Sequence, residues 1–262
     1  MTNDTHAQRV HKAFSHQASA FENAHHNHVF TTDASWLFED LRCGPQDTLL
    51  DVAAGTGHAA RQLASRVRFA IALDVTDAML KAGKAAAEQQ DIENLVFMRG
   101  DALALPFLDE SFDVVLSRFA THHIQRPDLQ LAEMERCLRH GGQLALADMV
   151  ADDDEQLAAS QNRLERLRDP SHAGMLSVSW LAASMEGLGL EQIAVQSRII
   201  DRPVEPWLQQ SAASADVAEA IRAELREEIA GGPKTGFAPR EADGELRFAQ
   251  AWACVTAVKT AR

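Results

Sequence analysis

Residues 48–149 alternate short, almost continuously apolar runs with longer amphipathic segments, and this alternation limits the fold more than any other feature. Strands that are apolar on both faces are typical of parallel sheets whose two faces are covered by helices. The alternation therefore predicts a doubly wound α/β sheet with five parallel strands. The five predicted strands are residues 48–52, 69–74, 94–99, 113–117 and 143–147.

The segments between and around these strands predict helices. Residues 76–90 and 128–140 predict two covering helices, with Gly141 as the C-terminal cap of the second. Val10, Phe14, Ala18 and Phe21 recur at three- and four-residue steps, which predicts a helix near the start of the chain. Later helices are predicted at residues 155–168, 180–185 and 216–230.

The C-terminal third predicts two further strands, at residues 192–200 and 246–258, which we expect to pair as a hairpin at the sheet edge. The predicted organisation is an N-terminal helical lid over residues 1–45 and a ligand-binding core over residues 46–150. A helical insertion and the edge strands, residues 151–262, complete the same domain.

Composition excludes several classes of protein. The 25 basic and 38 acidic residues give a net charge of −13, which would repel nucleic acid, so we expect no nucleic-acid partner. No apolar run approaches the ~18 residues that a membrane span needs. The cysteines Cys43, Cys137 and Cys254 are isolated, and the first residues lack an apolar signal core, so a cytoplasmic protein is expected. Three histidines among residues 25–28 predict a solvated segment, and no metal site is expected.

A glycine-containing turn follows the first predicted strand, with the sequence Asp-Val-Ala-Ala-Gly-Thr-Gly-His over residues 51–58. Gly55 and Gly57 would let the backbone approach a ligand closely. The run also fits the relaxed dinucleotide fingerprint G-x-G-x-x-A, and Asp74 lies 17 positions after Gly57, near the spacing of a ribose-binding acid. An NAD-dependent oxidoreductase therefore remains an alternative.

Two features favour S-adenosylmethionine as the ligand. Asp51 lies inside the strand, four residues before Gly55, where its carboxylate can meet the ammonium of a methionine moiety. A dinucleotide needs no cation partner at that position. Asp101, between Gly100 and Ala102 after the third strand, can accept a hydrogen bond from an adenine amino group.

With Leu-Pro-Phe at residues 105–107 and Ser-Phe-Asp at 111–113, these motifs resemble those of class I S-adenosylmethionine-dependent methyltransferases. Within that class the chain is most similar to the ubiquinone/menaquinone-biosynthesis C-methyltransferase-like, type 11 group. Residues 48–149 carry the specific part, and a narrower likeness extends through residues 118–123 and 162–172. Ala53 departs from the family, which usually has glycine there. We expect it to keep a negative φ, at which alanine is tolerated. Phe21 stands where tyrosine is common.

The resemblance implies a Rossmann-like sheet with helical lid elements and methyl transfer from S-adenosylmethionine to a small molecule. It implies that Asp74 binds both ribose hydroxyls, that Val75 and Met79 flank the adenine, and that Asp101 and the Ala102 amide read the adenine edge. Gly55 and Gly57 would lie against the methionine portion. The remaining predicted cofactor residues are Asp51, Ala53, Gly100 and Ser117.

The acceptor side is predicted from two segments distant in the sequence. His122 follows the fourth strand, where ligands bind in such folds, and could accept a proton near neutral pH. Arg118, Arg168 and His172 are predicted to join it in one cavity next to the sulfonium. Such a site would suit an anionic acceptor or one with a phenol or enol. The methylated atom stays open, as does a non-methylating protein that only binds the cofactor.

Overall fold

The computed structural model of the chain describes residues 5–21, 35–39, 41–211 and 213–260. The helices are α1 (His6–Phe21), α2 (His58–Leu63), α3 (Asp77–Gln89), α4 (Pro127–Cys137), α5 (Glu155–Arg168), α6 (Val178–Gly187), α7 (Val204–Gln210) and α8 (Ala215–Ile229). The strands are β1 (Thr48–Val52), β2 (Phe69–Asp74), β3 (Leu95–Arg99), β4 (Phe112–Arg118), β5 (Leu138–Ala151), β6 (Leu176–Ser177), β7 (Glu191–Pro203), β8 (Arg240–Ala242) and β9 (Glu245–Val258).

The central sheet has the order β3-β2-β1-β4-β5-β9-β7, and its first five strands are parallel. The order reverses at β1, because the chain runs outward to β3 on one side and then returns to β4 on the other. This confirms the predicted doubly wound α/β sheet. Ligands of such sheets bind beyond the carboxyl ends of the strands at this reversal point.

The two C-terminal strands pair antiparallel with each other, as predicted, and β7 is the outer of the two. The last strand, β9, lies between β5 and β7. Residues 204–244 connect β7 to β9 and include α7, α8 and β8. The connection is therefore much longer than a simple hairpin turn, and it brings two helices over one face of the sheet.

Each face of the sheet carries its own apolar layer, since neighbouring residues of a strand point to opposite faces. Leu49 packs in one layer, and Leu50 and Val52 pack in the other. All three are fully buried. The near-continuous apolar runs in the sequence follow from burial on both faces.

The predicted helix at residues 128–140, with Gly141 as its cap, is wrong at its C-terminal end. α4 ends at Cys137. The next residue, Leu138, is the first residue of β5, and it pairs with Phe112, the first residue of β4. Leu138 is fully buried, so pairing and burial within the sheet outweigh its helix propensity. Gly141 instead adopts a left-handed conformation at φ 80° within the irregular start of β5.

α5 agrees with its predicted boundaries, residues 155–168. Asp154 caps its start, because the Asp154 side chain accepts hydrogen bonds from the backbone N–H groups of Gln156 and Leu157 at 2.9 and 3.1 Å. Its last residue, Arg168, is thereby placed at the carboxyl-end side of the sheet. Residues 25–28 and the side chain of Phe21 lie outside the described residues. No helix in the described ranges is long and apolar enough to cross a membrane.

Candidate functional site

A cavity of about 370 Å³ lies beyond the carboxyl ends of β1, β2, β4 and β5, beneath α1. Its lining divides into two halves. The first half, called the cofactor half after the sequence prediction, consists of residues at the carboxyl ends of β1 and β2 and in the segments after β1, β2 and β3, namely Asp51, Ala53, Ala54, Gly55, Thr56, His58, Ala59, Asp74, Val75, Thr76, Met79, Gly100, Asp101, Ala102 and Leu103. The second half is called the acceptor half. It includes Arg118, Phe119, His122, Met149, Arg168, Asp169, Arg202 and Gln210, together with residues of α1.

The turn after β1 is built from left-handed residues. Ala53, Gly55 and Gly57 have φ values of 55°, 58° and 67°. A negative φ was expected for Ala53, so that expectation is wrong, and Ala53 adopts the conformation that favours glycine at a cost of about 1–2 kcal/mol. After Ala53, the Ala54 amide donates to the Leu73 carbonyl at 2.9 Å, and the Gly57 amide closes the turn on the Ala54 carbonyl at 2.8 Å.

The two glycines of this turn serve different purposes. A Cβ atom on Gly55 would meet no atom within 4 Å, so Gly55 leaves open space for a ligand. A Cβ atom on Gly57 would lie 2.8 Å from the Phe97 ring, so Gly57 allows the turn to pack closely on the sheet. Gly57 does not line the cavity, and it supports the site through packing.

Asp51 presents one carboxylate oxygen to the cavity. Its Oδ2 accepts a hydrogen bond from the Ala60 amide at 3.0 Å, while its buried Oδ1 has no hydrogen-bond partner in the described part of the chain. Burial raises the pKa of Asp51 to about 7, although the Ala60 amide and the nearby Arg118 guanidinium oppose this rise. A ligand cation beside Oδ1 would relieve the cost of burying this carboxylate.

Asp74 links two turns of the cofactor half. Its Oδ2 accepts a hydrogen bond from the Gly55 amide at 2.8 Å, and its Oδ1 accepts one from the Thr76 amide at 2.8 Å. Burial raises the pKa of Asp74, and these amides partly offset the effect. A carboxylate has about four acceptor positions, so Asp74 retains capacity for ligand hydroxyls.

The far end of this half is formed after β2 and β3. Met79 is buried there and Val75 is partly exposed, and both side chains line the cavity. The Asp101 carboxylate accepts a hydrogen bond from the Leu103 amide at 2.9 Å, which fixes the turn that also presents Ala102. Gly100 allows close packing there, because a Cβ atom would lie 2.6 Å from Leu73 Cδ1.

His122 and Asp148 form a buried pair in the other half. His122 lies in the short 3-10 turn Thr121–His123 after β4, and Asp148 lies on the neighbouring β5. The His122 Nδ1 is 2.6 Å from Asp148 Oδ1, and the His122 amide donates to Asp148 Oδ2 at 3.1 Å. Burial opposes protonation of the imidazole, but the Asp148 carboxylate outweighs it and raises the pKa of His122.

His172 contacts His122 from outside the cavity lining. Their ring centroids are 5.3 Å apart, and His172 Nε2 lies 3.2 Å from the Asn162 side-chain oxygen. Burial, together with the neighbouring His122 and His123, holds the pKa of His172 far below its usual value. His172 is therefore a neutral group that packs against the His122 ring.

The predicted arginines both reach the cavity, at different places. Arg118 lies near Asp51, where the acceptor half meets the cofactor half, and burial lowers the pKa of Arg118 to about 10 although the Asp51 carboxylate opposes this. Arg168 donates to the Glu165 carboxylate from Nε at 3.0 Å and from a terminal nitrogen at 2.9 Å. Its other terminal nitrogen donates to the Trp207 carbonyl at 3.2 Å.

Ser117, predicted as a cofactor residue, is fully buried and does not line the cavity. Its hydroxyl donates to the Val52 carbonyl at 2.8 Å and accepts from the Gln130 amide at 3.1 Å, so it ties β4 to β1. The structure thus brings Arg118, His122 and Arg168 into one lining and leaves His172, Ser117 and Gly57 just outside it.

Sequence reasoning missed Asp148, Arg202 and His58. Asp148 directly follows Ala147, which pairs with Arg118 at the end of β4. That adjacency of strand ends was the available signal. His58 lines the cofactor half, and burial with the nearby Arg118 and Arg61 lowers its pKa to about 3. No group of three or more potential metal ligands occurs within residues 5–21, 35–39, 41–211 and 213–260.

The chain is similar in sequence and in fold to known methyltransferases. The methyltransferase domain family matches residues 50–146. The uncharacterized methyltransferase YcgJ of Bacillus subtilis is 31% identical over 184 residues, which cover 70% of this chain and 73% of YcgJ. The crystal structure of YcgJ superimposes with a TM-score of 0.77 at 26% identity, covering 91% of this chain and 99% of that one. The demethylmenaquinone methyltransferase of Renibacterium salmoninarum is 42% identical over 104 residues, 40% of this chain and 42% of its own length.

Proposed function

Because the chain belongs to the family of S-adenosylmethionine-dependent methyltransferases, we propose that it methylates a small-molecule acceptor held beside His122. The buried His122–Asp148 pair carries this proposal, since it lines the same cavity as the residues suited to the cofactor. The match to demethylmenaquinone methyltransferases covers 40% of this chain for the Renibacterium salmoninarum protein and 55% for the Listeria welshimeri protein. The acceptor must therefore be argued from the cavity itself.

The charges and hydrogen-bonding groups of the cofactor half suit S-adenosylmethionine. The free Oδ1 of Asp51 suits the methionine ammonium, and Asp74 suits the two ribose hydroxyls. Asp101 and the Ala102 amide suit the adenine edge, with Met79 and Val75 against the ring faces. NAD has no ammonium group that could donate to Asp51 Oδ1, since the charged nicotinamide nitrogen carries no hydrogen, and this disfavours an oxidoreductase.

His122 is the residue that we assign to proton transfer. Asp148 engages the Nδ1 of His122, which leaves Nε2 as the atom that can accept a proton from the acceptor. When bound, S-adenosylmethionine supplies a methyl group on a positively charged sulfur that leaves as a neutral thioether. Removing the acceptor proton raises the nucleophilicity of the atom that is methylated, and the Asp148 carboxylate stabilises the imidazolium that results.

α1 closes the cavity over this pair. The Phe14 ring packs edge-on against the His123 ring, with centroids 4.8 Å apart. His6 Nε2 lies 2.7 Å from the His123 carbonyl oxygen, and Arg9 Nε donates to the Pro170 carbonyl at 3.2 Å. α1 therefore contacts both segments that carry acceptor-side residues, and it excludes water from the space where the reacting groups must align.

Mass spectrometry of a metabolite extract tests this proposal. The protein is incubated with the extract and with S-adenosylmethionine that carries a trideuterated methyl group. We expect one metabolite to gain the labelled methyl, and S-adenosylhomocysteine to accumulate in equal amount. Binding of S-adenosylhomocysteine without any turnover would instead support a non-methylating protein. Binding of NAD without binding of S-adenosylhomocysteine would overturn the assignment of the cofactor.

A further inference from the structure

Two buried arginines meet at the acceptor half of the cavity from different elements. Arg168 ends α5, and Arg202 lies near the end of β7. Both side chains line the cavity, although only 8% of the Arg168 surface and 4% of the Arg202 surface is exposed. A guanidinium is seldom buried at a cavity wall without a structural or ligand-binding role, because removing its charge from water is costly.

A polar network joins these arginines beneath the cavity. Arg202 donates to the Gln250 side-chain oxygen at 2.6 Å and to the Gln210 side-chain oxygen at 3.0 Å. The Gln250 amide in turn donates to Glu165 Oε1 at 2.9 Å, while Arg168 donates to Glu165 Oε2. Glu165 and the two glutamines thus fix both guanidinium groups in position before any ligand binds.

The charges of this network favour an additional anion. Burial and the neighbouring Arg168 cation lower the pKa of Arg202 to about 9, and the Glu165 carboxylate only partly opposes them. Glu165 already receives two hydrogen bonds from Arg168. An anionic group beside the two guanidinium groups would stabilise the charge of Arg202, which burial disfavours.

The other charged groups of the lining have hydrogen-bond or charge partners of their own. Arg118 lies near the Asp51 carboxylate. The Asp169 carboxylate accepts hydrogen bonds from the Ser171 amide and hydroxyl at 2.9 and 2.6 Å, and the Arg168 cation also acts on it. Phe119 and Met149 add apolar lining to the same half of the cavity. The second half of the cavity therefore combines a proton acceptor, an apolar wall and a pair of arginines.

We infer that Arg168 and Arg202 form an anion subsite, and that the acceptor is an organic acid whose carboxylate binds there while its apolar body reaches towards His122. This inference rests on the proposed function in one respect, because the organic acid is an acceptor only if the protein transfers a methyl group. It names Arg202 as the specificity-determining residue, because Arg168 also balances the buried Glu165.

Binding of matched acids and amides tests the subsite directly. The protein is saturated with S-adenosylhomocysteine and titrated with a panel of carboxylic acids, each paired with its neutral primary amide, such as 4-hydroxybenzoate and 4-hydroxybenzamide. We expect at least one acid to bind about tenfold to a hundredfold more tightly than its amide, since charge-assisted hydrogen bonds are lost in the amide. A panel in which no acid binds better than its amide overturns the inference.

Variants of Arg202 then test whether this residue causes the preference for the acid over its amide. Arg202→Gln is expected to abolish the preference for the acid, and Arg202→Lys to retain part of it. Arg247→Gln is the matched control, because Arg247 lies on β9 in an ion pair with Asp201 and does not line the cavity. Unchanged affinity for S-adenosylhomocysteine shows that each variant is folded. A preference that survives intact in Arg202→Gln contradicts the assignment.

The two proposals fail separately in these experiments. Acid-selective binding that depends on Arg202, with no methylated product from the extract, would refute methyl transfer and leave the anion subsite standing. A methylated neutral acceptor, together with equal binding of acids and amides, would refute the subsite and leave methyl transfer standing.

Discussion

The two halves of the cavity are assembled in different ways. The cofactor half comes from residues 51–103, in turns that directly follow β1, β2 and β3. The acceptor half combines α1, the end of β4, β5, the end of α5, β7 and α7, which span nearly the whole chain. One half is therefore specified by local motifs, and the other by how distant elements pack.

The electrostatics of the two halves differ as well. Carboxylates dominate the cofactor half, where Asp51, Asp74 and Asp101 face the cavity. The acceptor half presents His122 with Arg168 and Arg202. A ligand with a cationic methionine end and two ribose hydroxyls suits the cofactor half. An acceptor that carries a carboxylate, and that loses a proton from the atom to be methylated, suits the acceptor half. Variants should therefore separate cofactor affinity from turnover.

The largest separation is expected for His122→Gln. Glutamine cannot accept the proton, so kcat should fall about 10²- to 10⁴-fold while the dissociation constant of S-adenosylhomocysteine changes little. His140→Gln is the control, because His140 pairs with Glu110 and does not line the cavity. Steady-state kinetics and calorimetry measure the two quantities. Full activity in His122→Gln would remove the proposed base.

Asp74→Ala should show the reverse pattern. Loss of charge-assisted hydrogen bonds to two hydroxyls is expected to weaken cofactor binding by about 2–3 kcal/mol. The carboxylate also holds the Gly55 and Thr76 amides, so part of this loss reflects a less ordered turn. Asp77→Ala, which removes a surface ion pair with Arg99, should leave the affinity unchanged. Calorimetry that finds equal affinity in a folded Asp74→Ala protein would exclude Asp74 from the site.

Asp148→Asn should change the pH dependence of turnover. The reaction needs neutral His122, so kcat is expected to rise with pH through the raised pKa of His122 and then level off. Without the Asp148 carboxylate, burial is opposed only by the more weakly acting Glu165 and Asp169, so the pKa of His122 should be lower. The rising limb should then move to lower pH, and the plateau should fall because asparagine can hold the wrong tautomer. A limb at the same pH in both proteins would show that another group titrates.

The smallest expected effect concerns the left-handed turn. Ala53→Gly relieves the strain at φ 55° but makes the unfolded chain more flexible, so the free energy of unfolding should rise by about 0.5–1 kcal/mol. Ala64→Gly is the control. Ala64 has φ −54°, so glycine relieves no strain there and should destabilise the protein by a similar amount. Urea denaturation of the cofactor-free proteins measures both. Destabilisation by Ala53→Gly would show that no strain is stored at Ala53.

The sequence predicted the parallel sheet and the placement of most cofactor-side residues, though not of Ser117 and Gly57, because both follow from local patterns. The apolar runs mark strands buried on both faces, and the strand ends position Asp51, Asp74 and Asp101. The left-handed φ of Ala53 was not predicted, because alanine carries no signal for that conformation. Leu138 was assigned to a helix because only its partner Phe112 reveals that it belongs to β5.

The acceptor half was only partly predictable. His122 follows a strand end and could be proposed from that position. Asp148 follows a predicted strand, so its position beside the end of β4 could also have been inferred. Arg202 meets the cavity only through the pairing of β7 with β9 and the long connection from β5 to β7, which a single sequence does not reveal. His172 was grouped with His122 correctly in space, yet the structure places its ring outside the lining.

The most direct test of the relation between the two halves is a crystal structure with S-adenosylhomocysteine. The account predicts the ribose at Asp74, the amino group at Asp51, and the sulfur facing the space next to His122. A cofactor bound with its sulfur turned away from His122, or bound outside this cavity, would contradict the claim that the two halves serve one methyl transfer.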